Sequence, residues 1–242
     1  MSARYEFKYL INFEKYFALK QVFSSFLPPD KHSVEAHGYP VLSLYYDTPD
    51  FKYFYQKING NYRHFKLRAR TYDDYFQNTR SHIFLEQKIK IGERIAKEKQ
   101  KVLLPELLSE NLWDDFLSDD VQREKAVNLL VPKCYIFYKR EAYEGHVKNL
   151  HEDSSFKTDD ENSTMNLRVT FDLKVSCFSI NETIESSKSV FSPADPDCIV
   201  MEVKSKSPQL PLSITNILQQ YSLNRVHFSK YAMGLNRLRN FE

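Results

Sequence analysis

Six segments of this chain alternate charged and apolar side chains with a period of two, and that repetition restricts the fold more than any other feature. In RYEFKYL, residues 4 to 10, Arg4, Glu6 and Lys8 alternate with Tyr5, Phe7 and Tyr9. In HFKLRARTY, Lys66, Arg68 and Arg70 oppose Phe65, Leu67 and Ala69, and in FLEQKIK, Glu86, Lys88 and Lys90 oppose Leu85, Gln87 and Ile89. Tyr138 and Arg140 share a face in YIFYKREAY. Arg168, Thr170, Asp172 and Lys174 share one in LRVTFDLKV, opposite Leu167, Val169, Phe171, Leu173 and Val175. In IVMEVKSK, Glu202, Lys204 and Lys206 oppose Ile199, Met201 and Val203. This is the pattern of strands with two unlike faces.

Any one of these strands fits an antiparallel sheet with a wet face, where opposite charges on neighbouring strands add about 0.2 to 1 kcal/mol. Six together, with bases outnumbering acids, do not fit so easily. Arginine offers a rigid donor fork suited to phosphate, and like charges on adjacent strands repel unless a polyanion lies among them. A closed barrel brings six such faces around one axis, with the apolar faces outward under helices and aromatic segments. An open sheet with a charged concave face satisfies the same pattern. Either geometry predicts a cleft for an extended or multiply charged anion.

The remaining elements follow from local signals. Asn12 caps a predicted helix carrying Tyr16, Leu19, Phe23 and Phe26, which Pro28 and Pro29 stop. VLSLYYDT, 41 to 48, is a further predicted strand; residues 51 to 59 are aromatic-rich, and Asn59, Gly60 and Asn61 supply a turn. Leu108, Leu112 and Phe116 predict one helix between 105 and 131, and Val127 and Leu130 a second, opened by Asp119 or Asp120. Pro211 opens another with Ile214, Ile217, Leu218 and Tyr221, and a last one covers Lys230 to Leu238. Segments 151–164 and 185–197 have loop composition. These elements predict one α+β domain over residues 1–242, an antiparallel barrel with inserted and C-terminal helices.

Composition removes several classes of function. A net charge of +2 is too small for a general nucleic-acid binder, so functional basicity must be local. Cys134, Cys177 and Cys198 show no CxxC spacing, which points to a reducing, cytoplasmic setting and offers no thiolate metal site. No apolar run is long enough for a membrane span, although a membrane-protein partner is compatible with that. The five glycines form neither GxGxxG nor GxxxxGK, so side chains must hold any phosphates. The seven histidines include no HExxH, and no serine adjoins a nucleophile elbow.

Taken in order, RYEFKYL, SLYYDTPDF, RHFKLRARTY, FLEQKIK, YKREAY, LRVTFDLKV, IVMEVKS and FSKYAMG resemble the VTC domain. This is the polyphosphate polymerase module of the vacuolar transporter chaperone family, within the triphosphate tunnel metalloenzyme superfamily. The resemblance runs from Arg4 to Gly234. It implies a tunnel barrel that transfers the γ-phosphate of ATP onto inorganic polyphosphate with Mn²⁺ or Mg²⁺. It implies phosphate-binding roles for Arg4, Lys8, Arg68, Arg70, Lys88, Arg140, Arg168 and Lys204, and a serine-lysine pair at Ser229 and Lys230. Tyr138 falls beside the nucleotide, Glu202 on the metal, and Glu6 in a shortened acidic motif as a second metal ligand. Lys8, Arg70, Arg140 and Glu202 carry the catalysis in this reading. The same constellation serves hydrolysis, as a triphosphatase or polyphosphatase, or non-catalytic polyphosphate binding.

Overall fold

The computed structural model of the chain describes residues 4–33, 38–72, 82–103, 113, 130–148, 164–180 and 198–239. Eight strands form one antiparallel sheet: β1 (Tyr5–Ile11), β2 (Tyr39–Asp47), β3 (Arg63–Thr71), β4 (His82–Ile91), β5 (Arg94–Leu103), β6 (Val131–Lys148), β7 (Thr164–Ser179) and β8 (Ile199–Ser205). Their order is β1-β8-β7-β6-β2-β3-β4-β5. The sheet curls until its two edge strands meet, but not as a ladder. β1 and β5 touch through one bridge, Arg4 to Ile95, with the Arg4 amide donating to the Ile95 carbonyl at 3.4 Å. The result is a barrel-like α+β fold with a single seam rather than a fully hydrogen-bonded closed barrel.

Strand β5 is absent from the sequence reading, because Lys97, Glu98, Lys99, Gln100 and Lys101 supply no apolar face to recognise. Its entry signal is the two-residue connection Gly92–Glu93 after β4. Gly92 has φ +57°, which fits a type II′ hairpin turn.

The outward apolar faces are covered as the alternation requires. Helix α1 (Phe13–Ser24) starts at Asn12, whose side chain accepts from the Lys15 amide at 2.9 Å, and buries Tyr16, Leu19 and Phe23. These meet Phe171, with Phe7, Tyr9, Val169, Met201 and Val203 around them. The helix stops at Ser24, so Phe26 lies beyond it and is 40% exposed. Helix α3 (Leu212–Gln220) adds Ile214 and Leu218 to the same cluster. On the β2–β5 side, Tyr53 from α2 (Lys52–Ile58) and Trp113 pack on Leu44, Phe65, Leu67 and Leu85. The aromatic segment after Pro49 is therefore a helix, opened by Asp47. Its Oδ1 accepts from the Tyr53 amide and its Oδ2 from the Phe54 amide, both at 2.9 Å. The helices expected between 105 and 131 lie outside the described residues apart from Trp113, Leu130 and Val131; Leu130 is not helical and Val131 begins β6, so the second helix does not extend to them. The expected loop segments also lie outside the described residues, apart from Thr164, which opens β7.

Two features depart from simple alternation. A bulge lets Lys174 and Val175 of β7 face one residue of β6, Tyr138, between the pairs Phe137↔Ser176 and Lys139↔Leu173. Lys174 takes φ +52° there. The bulge reverses the parity of β7, so Lys174 turns out to solvent while Val175 and Cys177 turn inward. Lys206, expected to follow Glu202 and Lys204 inward, lies past the end of β8 and is exposed. The second departure is helix α4 (Lys230–Arg239), which packs on the concave face instead of the outside. Tyr231, Ala232 and Leu235 sit on Val41, Ile136, Tyr138 and Cys177. Tyr231 also donates to Asp47 Oδ2 at 2.7 Å. No helix among the described residues is long and apolar enough to cross a membrane.

Candidate functional site

Because neighbouring strands are in register, the charged faces become cross-strand rows on the concave side. Lys66 of β3 stands opposite Lys88 of β4, which stands opposite Lys97 of β5. Arg168 of β7 likewise faces Lys204 of β8. Like charges directly opposite one another destabilise a sheet. These rows surround a cavity of about 170 Å³ whose lining carries eleven lysines and arginines and two glutamates. Burial pushes the Lys66 ammonium well below its ordinary value, and Lys8, Lys88 and Lys57 push it further.

The bases are held in place by carboxylates. Glu86, itself 1% exposed, stands opposite Arg68 across β3–β4. Its Oε2 accepts from Arg68 Nε at 2.7 Å and pairs with Arg68 Nη2 at 2.6 Å, while its Oε1 binds Lys97. Arg68 Nη1 donates to Tyr45 at 2.9 Å. Arg70 donates to Ser43 and to the Tyr138 hydroxyl, each at 3.1 Å. Asp172 is fully buried; it accepts from Arg140 Nε and Nη2 at 2.6 and 2.8 Å and pairs with Lys230 at 2.6 Å. Burial raises the Asp172 carboxyl, but Arg140 and Lys230 reverse that and hold it far below the carboxylate range. Only the remaining edge of the Arg140 guanidinium is left to meet an anion.

Arg4, Glu6, Lys8, Arg68, Arg70 and Lys88, expected at a shared site, line this one cavity. So do Tyr138, Arg140, Arg168, Glu202, Lys204, Ser229 and Lys230. Ser229 precedes α4 and accepts from the Ala232 amide at 3.3 Å and from Lys66 at 2.8 Å, so the positive end of α4 adjoins the bases. The sequence reading left Lys66, Lys97, Tyr39, Tyr45 and Tyr72 out of the site, together with the holding carboxylates Glu86 and Asp172. Lys66, Glu86 and Asp172 were visible on the charged faces; nothing local marked Lys97 or the tyrosines.

The cavity continues. A smaller one of about 50 Å³ shares Glu6, Lys8, Lys66 and Lys88 with it and adds Lys57, His64, Lys90, Arg225 and His227. Beyond that lies a broad pocket with Lys57, His64, Lys90 and Arg237, whose lining includes the exposed Asn61 and Tyr62. Burial lowers His64 to about 4, so it is neutral at physiological pH.

Glu6 and Glu202 are the two carboxylates of the lining, on adjacent strands and offset by two residues. Burial and the nearby Glu202 push the Glu6 carboxyl up, but Lys88, Lys8 and Lys204 bring it down to about 2. Burial likewise opposes ionisation of Glu202, and Lys204, Lys8 and Lys88 overcome it, holding its value well below the ordinary one. In the same place burial lowers Lys204 to about 7. Among the described residues no cluster of three metal-ligating side chains exists. Two ionised carboxylates nevertheless fit a hard divalent ion that completes its shell with phosphate oxygens and water.

Comparison with curated proteins gives no match. Among solved structures, a Bacillus halodurans protein given a provisional assignment as an adenylate cyclase is 14% identical, covers 95% of this chain and 96% of its own, and superposes with a TM-score of 0.47. The PH1819 protein from Pyrococcus horikoshii is 11% identical over 97% of this chain and 99% of its own, also with a TM-score of 0.47. The VTC domain family model matches residues 3–239, and by that match the chain belongs to the VTC domain family.

Proposed function

We propose that the protein is a metal-dependent phosphotransferase that moves the γ-phosphate of ATP onto inorganic polyphosphate within the basic cavity. The observation that carries this reading is the pair of like-charge rows, Lys66–Lys88–Lys97 and Arg168–Lys204, in a lining whose bases far outnumber its carboxylates, an excess that a multiply charged anion would neutralise. Arg4, Arg68, Lys88, Arg168, Lys204, Ser229 and Lys230 would bind phosphates, while Lys8, Arg70 and Arg140 neutralise charge on the transferred group. Glu202, with Glu6, would hold Mn²⁺ or Mg²⁺, which would supply positive charge to stabilise the transferred phosphoryl group. Phosphoryl transfer asks for such positioning and charge neutralisation and no protein nucleophile.

Continuation of the cavity into Lys57, Lys90, Arg225 and Arg237 favours a chain longer than a triphosphate as one reactant. The test is incubation with ATP and Mn²⁺, followed by separation of long polyphosphate from free phosphate. Long chains are expected. Release of phosphate alone would make the protein a hydrolase, and binding without turnover would make it a polyphosphate-binding module.

A further inference from the structure

The two ends of the cavity differ in chemistry. In the part that it does not share with the Lys57–Arg237 pockets, the lining passes from Arg140 and Arg168 to Tyr39 and Tyr72, beside which His32 stands exposed. The His32 and Tyr72 rings are parallel to within 2°, with centroids 6.3 Å apart. Tyr39 stands edge-on to both, at 5.7 and 5.8 Å. The group is held from two sides. Phe84 meets Tyr72 edge-on at 5.7 Å, and the Lys99 ammonium lies 5.5 Å from the Tyr72 ring. On the other side Asp30 Oδ1 accepts from the His32 amide at 3.1 Å, and Asp30 is fixed to β6 by its own amide, which donates to the Ala142 carbonyl at 2.8 Å.

These rings are tied to the phosphate-facing bases. Arg168 Nη2 donates to the Tyr39 hydroxyl at 3.1 Å and to Asp30 Oδ2 at 2.5 Å. A phosphate on Arg168 would therefore leave whatever is esterified to it against Tyr39, Tyr72 and His32. Flat π-surface beside a row of cations is the pairing that stacks a nucleobase while holding its phosphates. An inorganic chain would gain nothing from it.

We propose that His32, Tyr39 and Tyr72 form a platform for the base of a nucleoside triphosphate, so that this mouth selects nucleotides and the Lys57–Arg237 end receives inorganic chain. The proposal rests on the cavity being a polyphosphate site, and the experiment separates the two. Equilibrium binding of ATP and of inorganic tripolyphosphate is measured in chelator, without turnover, for the parent protein and for His32→Ala and Tyr72→Leu. Loss of one base-stacking face weakens binding by about tenfold to a hundredfold. Both variants should lose that much for ATP and less than twofold for tripolyphosphate. His32 is exposed, so its variant tests the platform even if Tyr72→Leu disturbs folding. Equal losses for both ligands, or no loss of ATP affinity, would overturn the platform and leave the anion site standing. Failure of the parent protein to bind either ligand would overturn both.

Discussion

Glu202 and Asp172 are both buried carboxylates among bases, yet their surroundings assign them different work. Asp172 is saturated: two bonds from Arg140 and one ion pair with Lys230 leave it no role toward a ligand. Asp172→Asn should cost about 3 to 5 kcal/mol in a denaturant titration, because two cations lose their buried partner. Glu202 is held loosely, 3.7 Å from Lys204, and faces the cavity. Glu202→Gln should cost less stability than Asp172→Asn, since Glu202 has no close partner of its own among the described residues, while lowering metal-dependent turnover by orders of magnitude. Metal-free tripolyphosphate binding should survive or tighten, since the lining becomes more positive. Full turnover in the Gln variant would remove Glu202 from the metal site, and an unchanged midpoint for Asp172→Asn would contradict its burial.

At the scale of elements, α4 decides how well the site is built. It lies on the concave face because Gly234 lets it approach: a Cβ there would fall 2.6 Å from Cys177 Sγ and 2.9 Å from Ile136 Cδ1. That approach carries Lys230 to Asp172 and Ser229 to Lys66. Gly234→Val must push the helix away from β6 and β7. We expect a loss of about 1 to 3 kcal/mol from overpacking, and weaker tripolyphosphate binding as Lys230 and Ser229 withdraw. Measuring both on one preparation checks the link. Lost stability with unaltered binding would show that α4 braces the barrel without shaping the site.

For the whole molecule, an excess of buried positive charge makes anion binding a proton- and salt-linked process. Burial lowers Lys97 and Lys204 to about 7, so each is charged below that pH and neutral above it. A bound polyanion favours the charged forms and raises both values toward the ordinary lysine range, so binding takes up protons. Affinity for tripolyphosphate should therefore fall as pH rises from 7 to 9, by up to about tenfold per unit for each lysine. Added salt should weaken binding across the same range by screening the rows. Equal affinities at both ends of that pH window would mean that neither lysine meets the anion.

The alternating segments alone determined that strands would carry basic inner faces and apolar outer ones, since side-chain direction in a strand depends only on residue parity. Lys8, Arg70, Arg140 and Glu202 were legible for that reason, as was α1 from its cap and spacing. Parity could not reveal where it breaks: the bulge at Lys174 that turns Val175 and Cys177 inward is set by pairing with β6. Nor could it reveal β5, whose sequence has no apolar face and whose Lys97 lines the cavity, held there by Glu86. Register likewise decided which bases stand opposite one another and which carboxylates hold them. The meeting of β1 with β5, the seating of α4 inside the curve and the ring cluster at His32, Tyr39 and Tyr72 all join residues far apart in sequence. Such contacts depend on the curvature and twist of the assembled sheet, which no local pattern encodes.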